Sequence, residues 1–187
     1  MKIIGIIARK KKQENDKYYI GVYENYLKKI IKYGGTPIII YPSIKIDYIL
    51  NVCDGILSPG GDDIDIYDEY IYKYALDKDI PYLGICLGMQ AMSNNLVDIN
   101  NHYMTYHQIY INQNSKLYQI YKKDKIIVNS RHKSRIISLN DHMISAISED
   151  GVIEGIERID KKFILGVQYH PEDLVDDKLF EYFIKSC

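Results

Sequence analysis

The stretch Gly84-Ile85-Cys86-Leu87-Gly88 leaves the chain few ways to fold. An apolar run, Ile80 to Ile85, ends at a cysteine with glycine two residues before it and two after. A helix-forming segment, Leu87 to Leu96, follows at once. This is the pattern of a buried strand turning sharply into a helix. Small residues on either side let the two limbs approach, and the residue at the tip is held in strained backbone with its side chain above the sheet. Gly-x-Ser-x-Gly does this for a serine nucleophile; here the same spacing would present a thiol. The start of the helix would turn free N–H groups and the positive end of a dipole towards the sulfur, and both favour thiolate. A free cysteine is just as readily a small buried hydrophobe, so the motif gains meaning only if a base and an oxyanion site exist elsewhere.

The segments before this turn read as alternating strands and helices. Lys2 to Ala8, Thr36 to Tyr41 and Ile56 to Ser58 are short, β-branched apolar runs, as expected of strands buried on both faces of a parallel sheet. Tyr18 to Tyr33 carries apolar residues near helical spacing and stops at Gly34-Gly35. Tyr48 to Cys53 reads as a helical turn and Asp65 to Asp79 as a helix. Arg9 to Asp16, with four consecutive basic residues at its start, reads as a solvated loop. Pro59-Gly60-Gly61 follows the third strand, at the sheet edge where ligand loops gather. Beyond the cysteine the pattern changes. His107 to Asn112, Lys125 to Val128, Gly151 to Arg158 and Phe163 to Val167 are short segments, often alternating, as in antiparallel strands. A helix over 177–185 closes the chain.

Two polar patches here can serve a thiol. Val128-Asn129-Ser130-Arg131-His132-Lys133 places a histidine after a strand. Gly166-Val167-Gln168-Tyr169-His170-Pro171-Glu172 places another at a strand end with a carboxylate two residues on. Proline biases His170 to an extended conformation, in which residues i and i+2 point the same way. Glu172 then holds one ring nitrogen and leaves the other to exchange a proton with the thiol.

Composition excludes several classes. With 187 residues, a single domain spanning residues 1–187 is expected. The formal net charge is −1, so no global field points to nucleic acid or a membrane surface. Three widely spaced cysteines, Cys53, Cys86 and Cys187, form neither a disulfide framework nor a metal-ligand pattern, and fit a reducing cytoplasm. Neither a cofactor nor a metal is expected. The opening residues do not read as a signal peptide, and no apolar run reaches the length of a membrane span.

Taken together, Gly84-Ile85-Cys86-Leu87-Gly88-Met89-Gln90 and Gly166-Val167-Gln168-Tyr169-His170-Pro171-Glu172 resemble the class I glutamine amidotransferases, within them the γ-glutamyl-γ-aminobutyrate hydrolase type grouped with the C26 peptidases. The resemblance runs from end to end. Asp54 to Gly61 is similar to the family's oxyanion loop, Asn129-Ser130-Arg131-His132 to the Asn-Ser-x-His loop of the hydrolase subgroup, and Asp150-Gly151-Val152-Ile153-Glu154 to its Asp-Gly-x-x-Glu hairpin. It implies a three-layer α/β sandwich with a central, mostly parallel, flavodoxin-like sheet and antiparallel strands in the C-terminal part. It also implies a Cys86–His170–Glu172 triad, an oxyanion hole from the backbone N–H groups of Gly61 and Leu87, and substrate contacts from Gly60, Gln90, Asn129, Ser130, Arg131, His132 and Tyr169. The activity implied is hydrolysis of a γ-glutamyl amide through a glutamyl-thioester. The alternatives are a glutaminase subunit feeding ammonia to a partner synthase and a non-catalytic binding protein of the same fold. A small-molecule substrate is expected, and a homodimer is open. The chain departs from the family in a short segment between Asp65 and Ile80 and in Asn94-Asn95 where a glycine pair is usual; both are expected to reshape the pocket. His107 and His132 resemble pocket-side histidines of the subgroup. The basic Arg131, Lys133 and Arg135 are expected to face an anionic part of the substrate.

Overall fold

The computed structural model describes residues 2–43, 45–93, 95–176 and 178–187. The first half contains β1 (Lys2–Ile7), β2 (Arg9–Lys12), β3 (Tyr18–Gly21), α1 (Glu24–Lys32), β4 (Gly35–Ile40), α2 (Asp47–Leu50), β5 (Gly55–Ser58), α3 (Ile66–Lys78), β6 (Tyr82–Ile85) and α4 (Leu87–Gln90). The second half contains β7 (Leu96–Asp98), β8 (Tyr103–Ile111), α5 (Lys116–Tyr121), β9 (Lys125–Arg131), β10 (Ser134–Ile136), β11 (Met143–Ser148), β12 (Ile153–Arg158), β13 (Ile164–Val167), a 3-10 turn (Pro171–Asp173) and α6 (Lys178–Ser186).

Nine strands form one sheet in the order β4-β1-β5-β6-β13-β12-β11-β8-β9. The first five are parallel, and the sheet turns antiparallel from β12 onward. The parallel strands read as unbroken apolar runs because both faces are covered. Ile4, Ile6, Leu57 and Leu83 pack towards Tyr26 and Ile30 of α1 and Phe180 and Phe183 of α6. Ile7, Ile56 and Tyr82 pack on the other side, towards Leu50 of α2 and Ile71 and Ala75 of α3. Each fully buried side chain of this kind stabilises the fold by about 1.5–3 kcal/mol. The outcome is the expected three-layer α/β sandwich.

Local chemistry sets the boundaries. Helix α3 starts at a capping box: the Asp65 carboxylate accepts from Tyr67 N–H, and Asp65 N–H donates to Asp68. It ends at Asp79 in the left-handed region. Helix α1 ends before Gly34, at φ 84°.

Three expectations fail. The basic run at Arg9 is not a solvated loop but the first strand of a hairpin, with Arg9 opposite Gly21 and Lys12 opposite Tyr18. The helix expected from Tyr18 therefore begins only at Glu24. Tyr18-Tyr19-Ile20 is β-prone sequence, and Lys10 sits 4.1 Å over the Tyr18 ring, so the cross-strand pairs prevail over the helical spacing. The helix expected over Leu87 to Leu96 lasts one turn, Leu87–Gln90, before the chain breaks into turns. Elements α5, β7, β10 and β11 were not expected. Of the Asn94-Asn95 departure, Asn94 lies outside the described residues, as does Asp177 at the start of the last helix. No helix among the described residues is long and apolar enough to cross a membrane.

Candidate active site

Strand β6 delivers Cys86 at the carboxyl edge of the parallel sheet, with φ 52° and ψ −105°. Such a backbone is costly for a residue with a Cβ, and the turn enforces it. A Cβ on Gly84 would lie 2.6 Å from the Gly88 carbonyl oxygen, and one on Gly88 would lie 2.0 Å from that of Ser58. Neither position can hold a side chain, so the two limbs close and the thiol is held at the tip. The Cys86 N–H donates to the Val167 carbonyl at 2.8 Å, tying the turn to the strand that leads to His170. Because α4 is a single turn, a long helix dipole does not act on the sulfur. The N–H groups of the first helical residues, beginning with Leu87, have no acceptor within the helix.

His170 stands beside Cys86 in one cleft wall: a Cβ on Gly60 would lie 2.9 Å from His170 Cε1 and 3.6 Å from Cys86 Cβ. Its Nδ1 lies 2.7 Å from Glu172 Oε1. The contact does not arise from an extended strand, as the sequence suggested. Glu172 sits in the 3-10 turn Pro171–Asp173, and this turn brings the carboxylate back beside the ring. Burial pushes the imidazole pKa down, but the hydrogen bonds to Cys86 and Glu172 outweigh it and raise the value to about 10. The backbone of His170 is clamped by one side chain: its N–H donates to Asn129 Oδ1 at 2.9 Å, and its carbonyl accepts from Asn129 Nδ2 at 3.0 Å.

The Pro59-Gly60-Gly61 loop lies against this pair. A Cβ on Gly60 would approach His170 Cε1 to 2.9 Å, and one on Gly61 would approach Leu87 Cδ2 to 2.8 Å. Gly61 and Leu87 are thus adjacent. Two groups that sequence reasoning missed hold the loop. Arg9 is buried, and its guanidinium donates to the Pro59 carbonyl, to Ser58 Oγ and to the buried Asp68 carboxylate. The Tyr26 hydroxyl accepts from Gly60 N–H at 3.3 Å and faces Glu172; burial and that carboxylate push its pKa well up. The available signal for Arg9 was its place at the end of β1, on the ligand edge of the sheet.

A cleft of about 470 Å³ opens over these groups, with Cys86, His170, Glu172, Gly60 and Gly61 in its wall and Tyr103, Met104, Lys11 and Arg131 around them. Five residues expected to touch substrate do not line it. Gln90 donates to the Ser134 carbonyl and to Gln168. Asn129 clamps His170. Ser130 donates to the His102 carbonyl. His132 is buried beside His102, and Tyr169 is fully buried against Tyr121. Their polar atoms are spent on protein partners, so they shape the site from behind. Of the basic trio only Arg131 reaches the cleft, and there it pairs with Asp173 at 2.6 Å. Lys133 lies over the Tyr103 ring, and Arg135 belongs to the β7–β10 ribbon.

Comparison with known proteins now decides the family. The Peptidase C26 profile matches residues 2–67 and 64–172. The chain belongs to the Peptidase C26 family. The two matched pieces of this family meet at the segment where the sequence suggested a shortened loop. A glutamine amidotransferase of Schizosaccharomyces pombe is 34% identical over 204 residues, covering 85% of this chain and 79% of that protein. The γ-glutamyl-γ-aminobutyrate hydrolase of Escherichia coli is 27% identical over 217 residues, covering 88% and 85%. The glutaminase domain of the Trypanosoma brucei CTPS superposes with a TM-score of 0.78 at 20% identity, covering 100% and 93%. The fold of this C26 member is therefore that of the class I glutamine amidotransferases.

Proposed function

We propose that this C26 family member hydrolyses a γ-glutamyl amide, with Cys86 as nucleophile, His170 as proton carrier and Glu172 as its orienter. One observation carries the reading: a single imidazole, 2.7 Å from a buried carboxylate, shares one cleft wall with the thiol of a strained turn. The sulfur attacks the side-chain amide carbon. Backbone N–H groups of Gly61 and Leu87 receive the charge that develops on oxygen, an arrangement whose loss costs on the order of a hundredfold or more in rate. His170 takes the thiol proton as the sulfur attacks and passes it to the leaving nitrogen as the carbon–nitrogen bond breaks. Water then attacks the thioester, with His170 taking its proton, and releases glutamate. The cleft pairs cations with carboxylates, Lys11 with Asp62 at 3.0 Å and Arg131 with Asp173. A zwitterionic glutamyl head meets complementary charge of both signs there.

The likeness to the Escherichia coli hydrolase favours a stand-alone hydrolase of γ-glutamyl-γ-aminobutyrate or a related γ-glutamyl amine over a subunit that passes ammonia to a synthase. The test is a panel of γ-glutamyl amides with glutamine alongside, assayed on the isolated chain, with mass spectrometry following Cys86. Turnover of a γ-glutamyl amine with a glutamyl adduct on Cys86, both absent in Cys86→Ala, is expected. Turnover that survives in Cys86→Ala contradicts the mechanism. Activity confined to glutamine, and only with a synthase present, contradicts the hydrolase reading.

A further inference from the structure

Behind the cleft, three histidines from separate segments close on one fully buried carboxylate. Glu154 Oε1 lies 3.2 Å from His102 Nδ1, 3.2 Å from His107 Nε2 and 3.3 Å from His132 Nε2. His102 Nδ1 lies 3.1 Å from His132 Nε2. The donor atoms of His102, His107 and Glu154 all fall within 4.8 Å of one another. Close as they are, neither Glu154 oxygen and neither His107 nitrogen makes a hydrogen bond of acceptable geometry.

The outer contacts indicate why. His102 Nε2 faces Asp150 Oδ2 at 3.0 Å, and His132 Nδ1 faces the Ser134 carbonyl at 2.9 Å. Carboxylates and carbonyls only accept, so the outer nitrogens of these rings carry protons. In the neutral rings the inner nitrogens are bare lone pairs, and they converge on a buried negative charge. Such a centre needs a cation.

We propose that His102, His107 and Glu154 bind a divalent metal ion, with zinc the best match. Imidazole and carboxylate are zinc donors, and zinc–nitrogen bonds of about 2.0–2.1 Å in a tetrahedron put neighbouring donors about 3.3 Å apart. Glu154 Oε1 stands at nearly that distance, 3.2 Å, from both His102 Nδ1 and His107 Nε2, and the three donors fall within 4.8 Å of one another. The outer Asp150 orients the His102 ring as a partner of a metal-bound histidine does. The two carboxylates, Glu154 and Asp150, balance the charge of the ion. Three protein ligands leave one position of a tetrahedron open, and buried His132, 3.3 Å from Glu154 Oε1, stands beside it. His102 and His107 are separated by four residues, a spacing zinc ligands use, whereas Glu154 lies far along the chain and joins them only in the fold. His102 immediately precedes Tyr103 and Met104, which line the cleft, so the ion would pin that rim to β8 and β12.

The test uses full-length protein purified without a metal-affinity tag. Elemental analysis should find roughly one zinc per chain. Chelation should lower the melting temperature by more than about 5 °C, and reloading should restore it. Cobalt(II) in place of zinc should give the visible absorption bands of a tetrahedral site. Those bands should vanish in His107→Ala and Glu154→Gln and persist in Cys86→Ala, which separates this site from the thiol. Protein that is metal-free as purified, whose melting does not respond to zinc and which gives no cobalt bands, overturns the proposal; the histidines would then hold protons in place of a metal. Wild-type titration alone decides this if the variants do not fold.

Discussion

The two halves of the sheet do different work. The parallel half, β4-β1-β5-β6-β13, puts reactive groups at its carboxyl edge and holds them by close approach: bare glycines at 84 and 88, and an arginine buried under the oxyanion loop. The antiparallel half, β12-β11-β8-β9, contributes no reactive atom to the Cys86–His170–Glu172 set. It grips that set from behind through polar side chains, Asn129 on His170 and Ser130 on the His102 turn. Close approach and one buried ion pair therefore govern the parallel half, and side-chain hydrogen bonds to backbone the other. Substitutions should fail differently in each.

The largest effect is expected under the oxyanion loop. Arg9→Met strands Asp68 as a buried charge with no cation, and should cost about 3–5 kcal/mol in chemical denaturation. If Arg9→Met proves nearly neutral, the loop is not held by this pair. Next, Gly88→Ala forces a methyl group onto the Ser58 carbonyl and should cost about 3 kcal/mol, the upper end for overpacking. A silent Gly88→Ala would mean the turn has slack and that close approach does not govern this half. Across the sheet, Asn129→Ala should cost about 1–3 kcal/mol by leaving the His170 backbone unpaired. It should also lower kcat by roughly a hundredfold through displacement of the ring, with KM little changed. A matching rise in KM would instead place Asn129 in contact with substrate.

Legibility follows the same division. The parallel strands could be read directly because a strand covered on both faces has no reason to alternate, and Lys2–Ile7, Gly55–Ser58 and Tyr82–Ile85 do not. The elbow was legible because steric closeness leaves glycine as its signature. Arg9 was misread because a run of basic residues looks solvated, and only the hairpin turns the first of them inward. Glu172 was placed beside His170 for the wrong reason, since a 3-10 turn and an extended strand both bring i and i+2 together here. Asn129, Ser130 and His132 were assigned to substrate by resemblance, and the fold gives their polar atoms protein partners that polarity along a strand does not reveal. The gathering of His102, His107 and His132 on Glu154 depends on the register of β8 with β9 and on the β12 hairpin. No local pattern encodes that.

The account rests on a thiol and an imidazole sharing one proton, and titration of His170 by NMR tests it most directly. Its ordinary value is 6.5, and contact with Cys86 and Glu172 raises it to about 10. A raised folded value means that this group's contribution to stability is complete below pH 6.5 and is lost as the pH climbs through about 10. We expect His170 in the wild type to titrate near 10 and to fall by at least about one unit in Cys86→Ala, with the loss of stability between pH 7 and 10 flattened in that variant. A His170 that titrates near 6.5 in both proteins would contradict the coupling of sulfur to ring on which the proposed amide hydrolysis depends.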